Sequence, residues 1–199
     1  MADDGGAPLV TGLVLAAGQG RRFGGPKALA ATADGTPWLH LAVAALRSGG
    51  CAGVVVALGA GADAARALVP EGAGVVVVPD FARGLSASLR AGLPIALDGD
   101  GGGRADAVVV VTVDTPSLPP SAVRRVLGSG IDAAPEPRAA LARATYHGAP
   151  GHPVLIGRDH VPGVLVEADG DAGARGYLTA HDTLAVECGD LWDGVDVDT

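Results

Sequence analysis

Four stretches of the chain are almost unbroken runs of apolar residues: 9–16, 54–58, 75–78 and 107–113. A strand with one wet face alternates apolar and polar positions, whereas a strand covered on both faces stays apolar throughout. The four runs therefore read as buried parallel strands. Between them the pattern shifts to a helical period. Trp38, Leu41, Ala42, Ala45 and Leu46 fall at i, i+3, i+4, i+7 and i+8, one apolar stripe. Leu85, Leu89 and Leu93 form a second stripe, which Pro94 is expected to interrupt because proline removes a helical N–H. Pro119 and Pro120 open a third helix bearing Val123, Val126 and Leu127, since proline is tolerated where the first turn leaves its N–H unused. The second half is less regular: 141–146, 154–156 and 183–186 read as strands and 173–181 as a helix. Strands alternating with helices imply right-handed crossovers. The expected fold is α/β, a three-layer sandwich around a Rossmann-like, mostly parallel sheet. No repeat or linker divides the chain, so residues 1–199 read as one domain. The segment 98–104, DGDGGGR, reads as a turn, because Gly102 and Gly103 fall where a calcium loop needs ligands.

Composition narrows the picture. Hydrophobic residues make up 48% but aromatics only 3%, so the core must be built from Ala, Val and Leu. The net charge of −8 argues against a nucleic-acid partner, which needs a broad basic face. Against that acidic background the cluster Arg21, Arg22 and Lys27 concentrates positive charge in one loop. Cys51 and Cys188 lie far apart, show no metal spacing and suit reduced thiols. The opening MADDGGAP has neither a basic region nor an apolar run, and no segment approaches membrane-spanning length. A cytoplasmic protein with no membrane partner is expected.

The basic cluster belongs to LAAGQGRRFGGPK, residues 15–27, which follows the first predicted strand. That places it on a carboxyl edge, where open α/β sheets bind ligands. Gly18, Gly20, Gly24 and Gly25 strip side chains from a short span, letting backbone N–H groups approach an anion. Lys27 is the only lysine among 14 Lys and Arg residues. A compact ammonium on a flexible stem can follow a phosphate through a reaction. A surface lysine with no role is the plainer reading, and the surrounding glycines weigh against it. Two better-known phosphate loops do not match. Gly25-Pro26-Lys27-Ala28 lacks the hydroxyl of a Walker loop. A dinucleotide fingerprint would need glycine where Phe23 stands and a carboxylate where Leu58-Gly59 ends the second strand.

Carboxylates supply the other half of the chemistry. Asp114 follows the fourth apolar run and precedes Pro116, Pro119 and Pro120, so it projects at the same edge as the loop. A magnesium ion held there would offset repulsion between two phosphates. Taken alone, Asp114 also fits a helix N-cap or turn. Val195 and Val197 alternate with Asp196 and Asp198, so an extended tail puts both aspartates on one side; a frayed acidic terminus fits equally. Asp80 ends the third run on the productive edge, where it fits a ribose contact or a turn. His40, His147, His160 and His181 show no ligand spacing.

The loop resembles the signature of nucleotidyltransferases related to the molybdenum cofactor guanylyl- and cytidylyltransferases. Further segments extend the resemblance over nearly the whole chain: RGLSASLRAG at 83–92, VTVDTPSLPP at 111–120, GAPGHPVLIGR at 148–158 and GDAGAR at 170–175. The resemblance implies a sheet of the nucleotidyltransferase type and transfer of a nucleotidyl group from an NTP to a phosphorylated acceptor, with release of pyrophosphate. It implies that Leu15, Ala16, Ala17, Gly18, Gly20, Arg22 and Lys27 hold the nucleotide, with Ser88 and Asp80 beside it. Lys27, Arg22 and Asp114 would be catalytic. Asp114 would bind Mg2+, joined by Asp198 of the DVDT ending, with Asp196 as the alternative. His152 and Arg175 would face the acceptor, although turn packing explains His152 and a pair with Asp171 explains Arg175. The wording LAAG resembles the cytidylyl branch, which favours CTP and a molybdenum-bearing pterin acceptor. Guanylyl transfer, or transfer to a sugar phosphate or phosphorylated hydroxy acid, is the alternative within the class. Arg21 stands where a small hydroxyl residue is common, and relatives continue past the position of Thr199. A nucleotide-binding accessory protein is therefore the rival from another class, and a cofactor-receiving enzyme would be a transient partner of either. A nicotinamide oxidoreductase is a third reading, set back by the failed fingerprint.

Overall fold

The computed structural model describes residues 7–98 and 104–197. Its seven strands form one sheet in the order β3-β2-β1-β4-β6-β5-β7. The four apolar runs become β1 (Val10–Ala16), β2 (Gly53–Leu58), β3 (Gly74–Val77) and β4 (Ala107–Thr112), all mutually parallel. The irregular half supplies β5 (Leu141–Tyr146), β6 (Ala149–Gly157) and β7 (Leu184–Glu187). Only β6 runs against its neighbours, pairing antiparallel with both β4 and β5. The expected mostly parallel sheet is what forms.

Helices cover both faces. They are α1 (Trp38–Ser48), α2 (Ala62–Arg66), α3 (Leu85–Asp98), α4 (Pro120–Ala133), α5 (Val161–Glu167) and α6 (Arg175–Ala180). Every residue of β1 is buried, as a strand flanked and covered on all sides must be. Its alternate side chains feed two cores. Val10, Val14 and Ala16 face α1 and α4, while Leu13 and Leu15 face α3. Leu13 and Val14 are wholly inaccessible, and burying each such side chain contributes about 1.5–3 kcal/mol.

One expectation fails. Helix α3 does not stop at Pro94 but runs on to Asp98. Ala96 and Leu97 are buried on the far side of the proline. Burying that extra apolar turn outweighs a proline penalty of about 3 kcal/mol. The guanidinium of Arg158 then secures the helix end, donating to the carbonyls of Leu97 at 3.0 Å and Ala105 at 2.8 Å. Residues 99–103 of the DGDGGGR turn, residues 1–6 of the opening and Asp198 lie outside the described residues.

The connectivity decides where a ligand fits. The chain moves outward from β1 through β2 to β3, then returns to β4 on the opposite side of β1. The carboxyl ends of β1 and β4 therefore diverge into connections on opposite sides, which opens a crevice between them. Because β6 is antiparallel and pairs Val154 with Val110, its first residues project beyond the same edge.

Candidate active site

Strand β1 ends at Ala16, and the glycine loop turns directly over the edge. Gly20 adopts φ +56°, and a Cβ there would lie 1.9 Å from the Gly25 carbonyl oxygen. No other residue fits this turn. The Gly20 carbonyl accepts the amides of Gly24 at 2.9 Å and Gly25 at 3.1 Å. Those two amides are thus held inside the loop. The amides of Gly18, Gln19 and Gly20 make no backbone hydrogen bond among the described residues, which leaves them for a ligand. Phe23 anchors the loop against Trp38 at 5.2 Å between ring centroids.

The β1–β4 ladder continues one residue past β4, where the Val113 amide donates to the Leu15 carbonyl at 3.1 Å. Asp114 comes next, held at the edge by the Thr115 hydroxyl donating to the Thr112 carbonyl at 2.8 Å. From there it meets the loop: the Lys27 Nζ donates to the Asp114 Oδ2 at 3.0 Å. Residues 87 apart in sequence become neighbours because β1 and β4 are adjacent. The other oxygen, Asp114 Oδ1, is buried and accepts no hydrogen bond among the described residues. A buried carboxylate oxygen without a partner is costly, so a cation or a donor would be well placed against it.

Two cavities meet at this point. The first, about 400 Å³, is lined by Leu15 to Arg21, Lys27, Ser88 and Asp114. The second, about 410 Å³, is lined by Asp114, Arg143, His152, Arg175 and Asp196 above an apolar floor that includes Leu89, Val154 and Leu178. Leu15, Leu85, Thr112, Asp114 and Asp171 line both.

The predicted site residues distribute unevenly over this geometry. Leu15, Ala16, Ala17, Gly18, Gly20, Lys27 and Ser88 surround the first cavity. Arg22 is exposed and outside its lining; the tight turn sends neighbouring side chains in different directions, and Arg21 lines the cavity instead. Asp80 is exposed too and lines neither cavity; its carbonyl accepts the Arg83 amide at 2.9 Å, the turn role. His152 and Arg175 line the second cavity, and no ion pair joins Arg175 to Asp171. Asp196 lines it as well, and the Val197 amide donates to the Asp114 carbonyl at 2.8 Å, which ties the tail to the site.

Burial pushes the His152 imidazole below its ordinary value, only partly opposed by Asp114 and Asp196, so it is neutral at pH 7. Its carbonyl accepts the Tyr146 hydroxyl at 2.6 Å. Among the described residues no three His, Cys, Asp or Glu side chains are gathered to hold a metal. A divalent ion would therefore depend on Asp114 with phosphate and water oxygens, which is how magnesium is usually held beside nucleotides. The unpartnered Oδ1 fits that arrangement.

Two residues escaped the sequence reading. Asp171 lines both cavities, and Gly84 at φ +87° lets it approach, since a Cβ there would lie 2.4 Å from the Asp171 Oδ1. Arg143 lines the second cavity from β5. Its signal was present: Leu141, Arg143 and Thr145 alternate along the strand, so a charge occupies an inward position.

A mostly parallel sheet bearing a glycine loop, a lysine and an aspartate on its carboxyl edge has the layout of a nucleotidyltransferase. The chain belongs to the MobA-like NTP transferase family, whose domain matches residues 12–184. It is 36% identical over 202 residues to a nicotine blue oxidoreductase from Paenarthrobacter nicotinovorans, spanning 96% of this chain and 93% of that protein. It is 33% identical over 156 residues to a molybdenum cofactor guanylyltransferase from Rhodobacter capsulatus, spanning 78% and 67% respectively. Among solved structures it resembles Rv0371c from Mycobacterium tuberculosis H37Rv, with a TM-score of 0.74 and 31% identity over 98% of this chain and 95% of that one. The same protein in complex with manganese gives a TM-score of 0.73 at 29% identity, with the same coverage.

Proposed function

We propose that this nucleotidyltransferase moves a cytidylyl group from CTP to a molybdenum-bearing pterin phosphate, with magnesium as the metal. The reading is carried by one observation: Lys27 and Asp114 lie 3.0 Å apart on the wall where the two cavities meet, with the second Asp114 oxygen unpartnered. The first cavity takes the nucleotide and the second the acceptor. The acceptor's terminal phosphate oxygen attacks the α-phosphorus, the bond from that phosphorus to the β-phosphate bridging oxygen breaks, and pyrophosphate leaves with the electron pair. The protein contributes positioning and charge stabilisation, since the reaction asks for little covalent work. Free amides at Gly18 to Gly20 and the Lys27 ammonium receive the charge that builds on the leaving pyrophosphate. Arg21, rather than Arg22, lines the cavity and supports them. Magnesium, when bound, neutralises phosphate charge at the junction; Asp114 would hold it, with Asp196 or Asp198 beside it. Neutral His152 and cationic Arg175 suit a site that must admit a second anion. The LAAG wording of the loop supports CTP, and the Rhodobacter relative supports the molybdenum pterin.

The test is pyrophosphate release, measured for CTP, GTP, ATP and UTP against the pterin phosphate, a sugar phosphate and a phosphorylated hydroxy acid. The expected result is release with CTP and the pterin phosphate that stops when EDTA removes the divalent ion. Release with GTP alone would move the base preference. Release with another acceptor alone would move the substrate. CTP binding without release in any combination would leave an accessory protein.

The name of the Paenarthrobacter relative carries a second reading, oxidoreductase activity on nicotine blue. The loop's Phe23 and the closely packed Gly59 at the end of β2 weigh against a dinucleotide. A Cβ on Gly59 would sit 2.6 Å from the Ala17 carbonyl oxygen, which leaves no room for a ribose-binding carboxylate. Dye-dependent consumption of NADH by the purified protein would restore that reading.

A further inference from the structure

Among the described residues, Arg143 is the one strongly basic side chain that a strand sets on the sheet face beside the second cavity. Its neighbours on β5, Leu141 and Thr145, share that face, while Ala142 and Ala144 belong to the opposite core. Around it the cavity wall is apolar: Leu89, Val154, Ile156 and Leu178. Its Nε is buried and has no hydrogen-bond partner among the described residues. A guanidinium cannot shed its charge to escape such a position, because it stays protonated at any physiological pH. A buried donor on a charged group left unpaired costs free energy that an alanine or leucine would avoid. Among the described residues no carboxylate forms an ion pair with it: it pairs across the ladders with Val154 and Ala185, and the Glu187 carboxylate two positions along β7 is taken up by the Thr145 hydroxyl and the amides of His147, Gly148 and Gly189.

The register locates this donor relative to the reaction centre. Arg143 pairs with Val154, which pairs with Val110, four residues before Asp114. Two strand spacings of about 4.8 Å and four residues of about 3.3 Å rise separate the backbones by roughly 16 Å. A fully extended arginine covers less than half of that. Arg143 therefore sits at the far end of the cavity from Asp114.

We infer that Arg143 is the distal anchor of the acceptor, taking a planar, hydrogen-bond-accepting group (a carboxylate or an amide-type carbonyl) at the end opposite the reacting phosphate. This rests on the second cavity being the acceptor site. It adds that the acceptor is two-ended: a phosphate at the Asp114 junction, a flat apolar body against Leu89, Val154 and Leu178, and an accepting oxygen at Arg143. The planar fork of donors suits such a group better than an ammonium would. A phosphomonoester that lacks the distal oxygen, such as a simple sugar phosphate, would leave the guanidinium unsatisfied and be rejected for that reason.

The experiment compares the parent protein with Arg143→Met and Arg143→Lys. With the acceptor that supports pyrophosphate release, Arg143→Met should raise the acceptor KM by about 10- to 100-fold, the loss of one charged hydrogen bond, while the Kd for nucleotide stays unchanged. Arg143→Lys should recover part of that loss, because it restores the charge but not the fork. In the parent protein, the side-chain Nε–Hε resonance of Arg143, identified by its disappearance in Arg143→Met, should shift when that acceptor saturates the site. An unchanged acceptor KM in Arg143→Met, or a resonance that does not move, overturns the inference and leaves a structural water as the partner of the Nε. Absence of release with pterin phosphate strikes the proposed acceptor and not Arg143, whose test then uses the phosphorylated hydroxy acid if that turns over, whereas turnover of a simple sugar phosphate overturns the inference. If none does, titration with formate decides: a shifted Nε–Hε resonance supports the anchor, and a static one refutes it.

Discussion

The contact between Lys27 and Asp114 sets two groups against each other that the proposed reaction needs separately. At 3.0 Å the ammonium occupies one carboxylate oxygen while the other stays without a partner. A divalent ion held by Asp114 would therefore share that carboxylate with Lys27 unless a bound phosphate drew the ammonium away. Lys27→Met should lower kcat by about 10²- to 10³-fold, the usual cost of deleting one preorganised donor to developing charge. The same variant should bind Mn2+ more tightly in the absence of nucleotide, because Asp114 is no longer shared. Pyrophosphate release and a metal titration measure the two effects, and near-normal turnover would remove the lysine from the mechanism. Both residues were legible in the sequence for local reasons: one is a lone lysine in a glycine turn, the other an aspartate directly after an apolar strand. Arg22 and Asp80 were legible as types, but not as directions, since a tight turn rotates consecutive side chains apart. Arg143 and Asp171 stayed hidden because their role depends on β5 and the 170–172 turn closing on the same cavity from distant parts of the chain.

At the level of elements, strands buried on both faces declared themselves, and β1 to β4 differ from the expected runs by a residue or so at their ends. Strand β6 was harder to see. Pro150, Gly151 and Pro153 read as breakers, yet they lie in its first half, beyond the ladder with β4, where fewer N–H groups are required. Helices α2 and α5 are five and seven residues long, too short to show an apolar stripe, and Pro162 with Gly163 disguises α5 as a turn. The β5–β6 hairpin carries a titratable clamp. The Glu187 carboxylate, on β7, accepts the His147 amide and the Thr145 hydroxyl, each at 2.9 Å, and the Gly148 amide at 3.3 Å. These donors, with the Gly189 amide, hold its carboxyl down at about 2 against an ordinary 4.5. Because the folded value is the lower one, the clamp's stabilisation is fully present above about pH 4.5 and fades as pH falls toward 2. Thermal melts of Glu187→Gln should lose the parent's slope across that acid window while differing little in slope at neutral pH. An identical acid slope in both proteins would mean that the clamp carries no such linkage.

The molecule as a whole turns an aromatic-poor composition into layers of Ala, Val and Leu, in which Trp38, Tyr146 and Tyr177 are the buried aromatic members. Both tryptophans stand in pairs, each against a ring from an element that builds one of the cavities, the glycine loop or β5. Trp38 packs on Phe23 of the glycine loop, and Trp192 meets Tyr146 edge-on at 5.2 Å, the same tyrosine that donates to the His152 carbonyl. With only two indoles in 199 residues, the protein carries one natural optical reporter for each half of its site. Trp192→Phe should leave emission that responds to nucleotide alone, and Trp38→Phe emission that responds to the acceptor alone. Stopped-flow traces from the two variants would time the arrival of each substrate without any added dye.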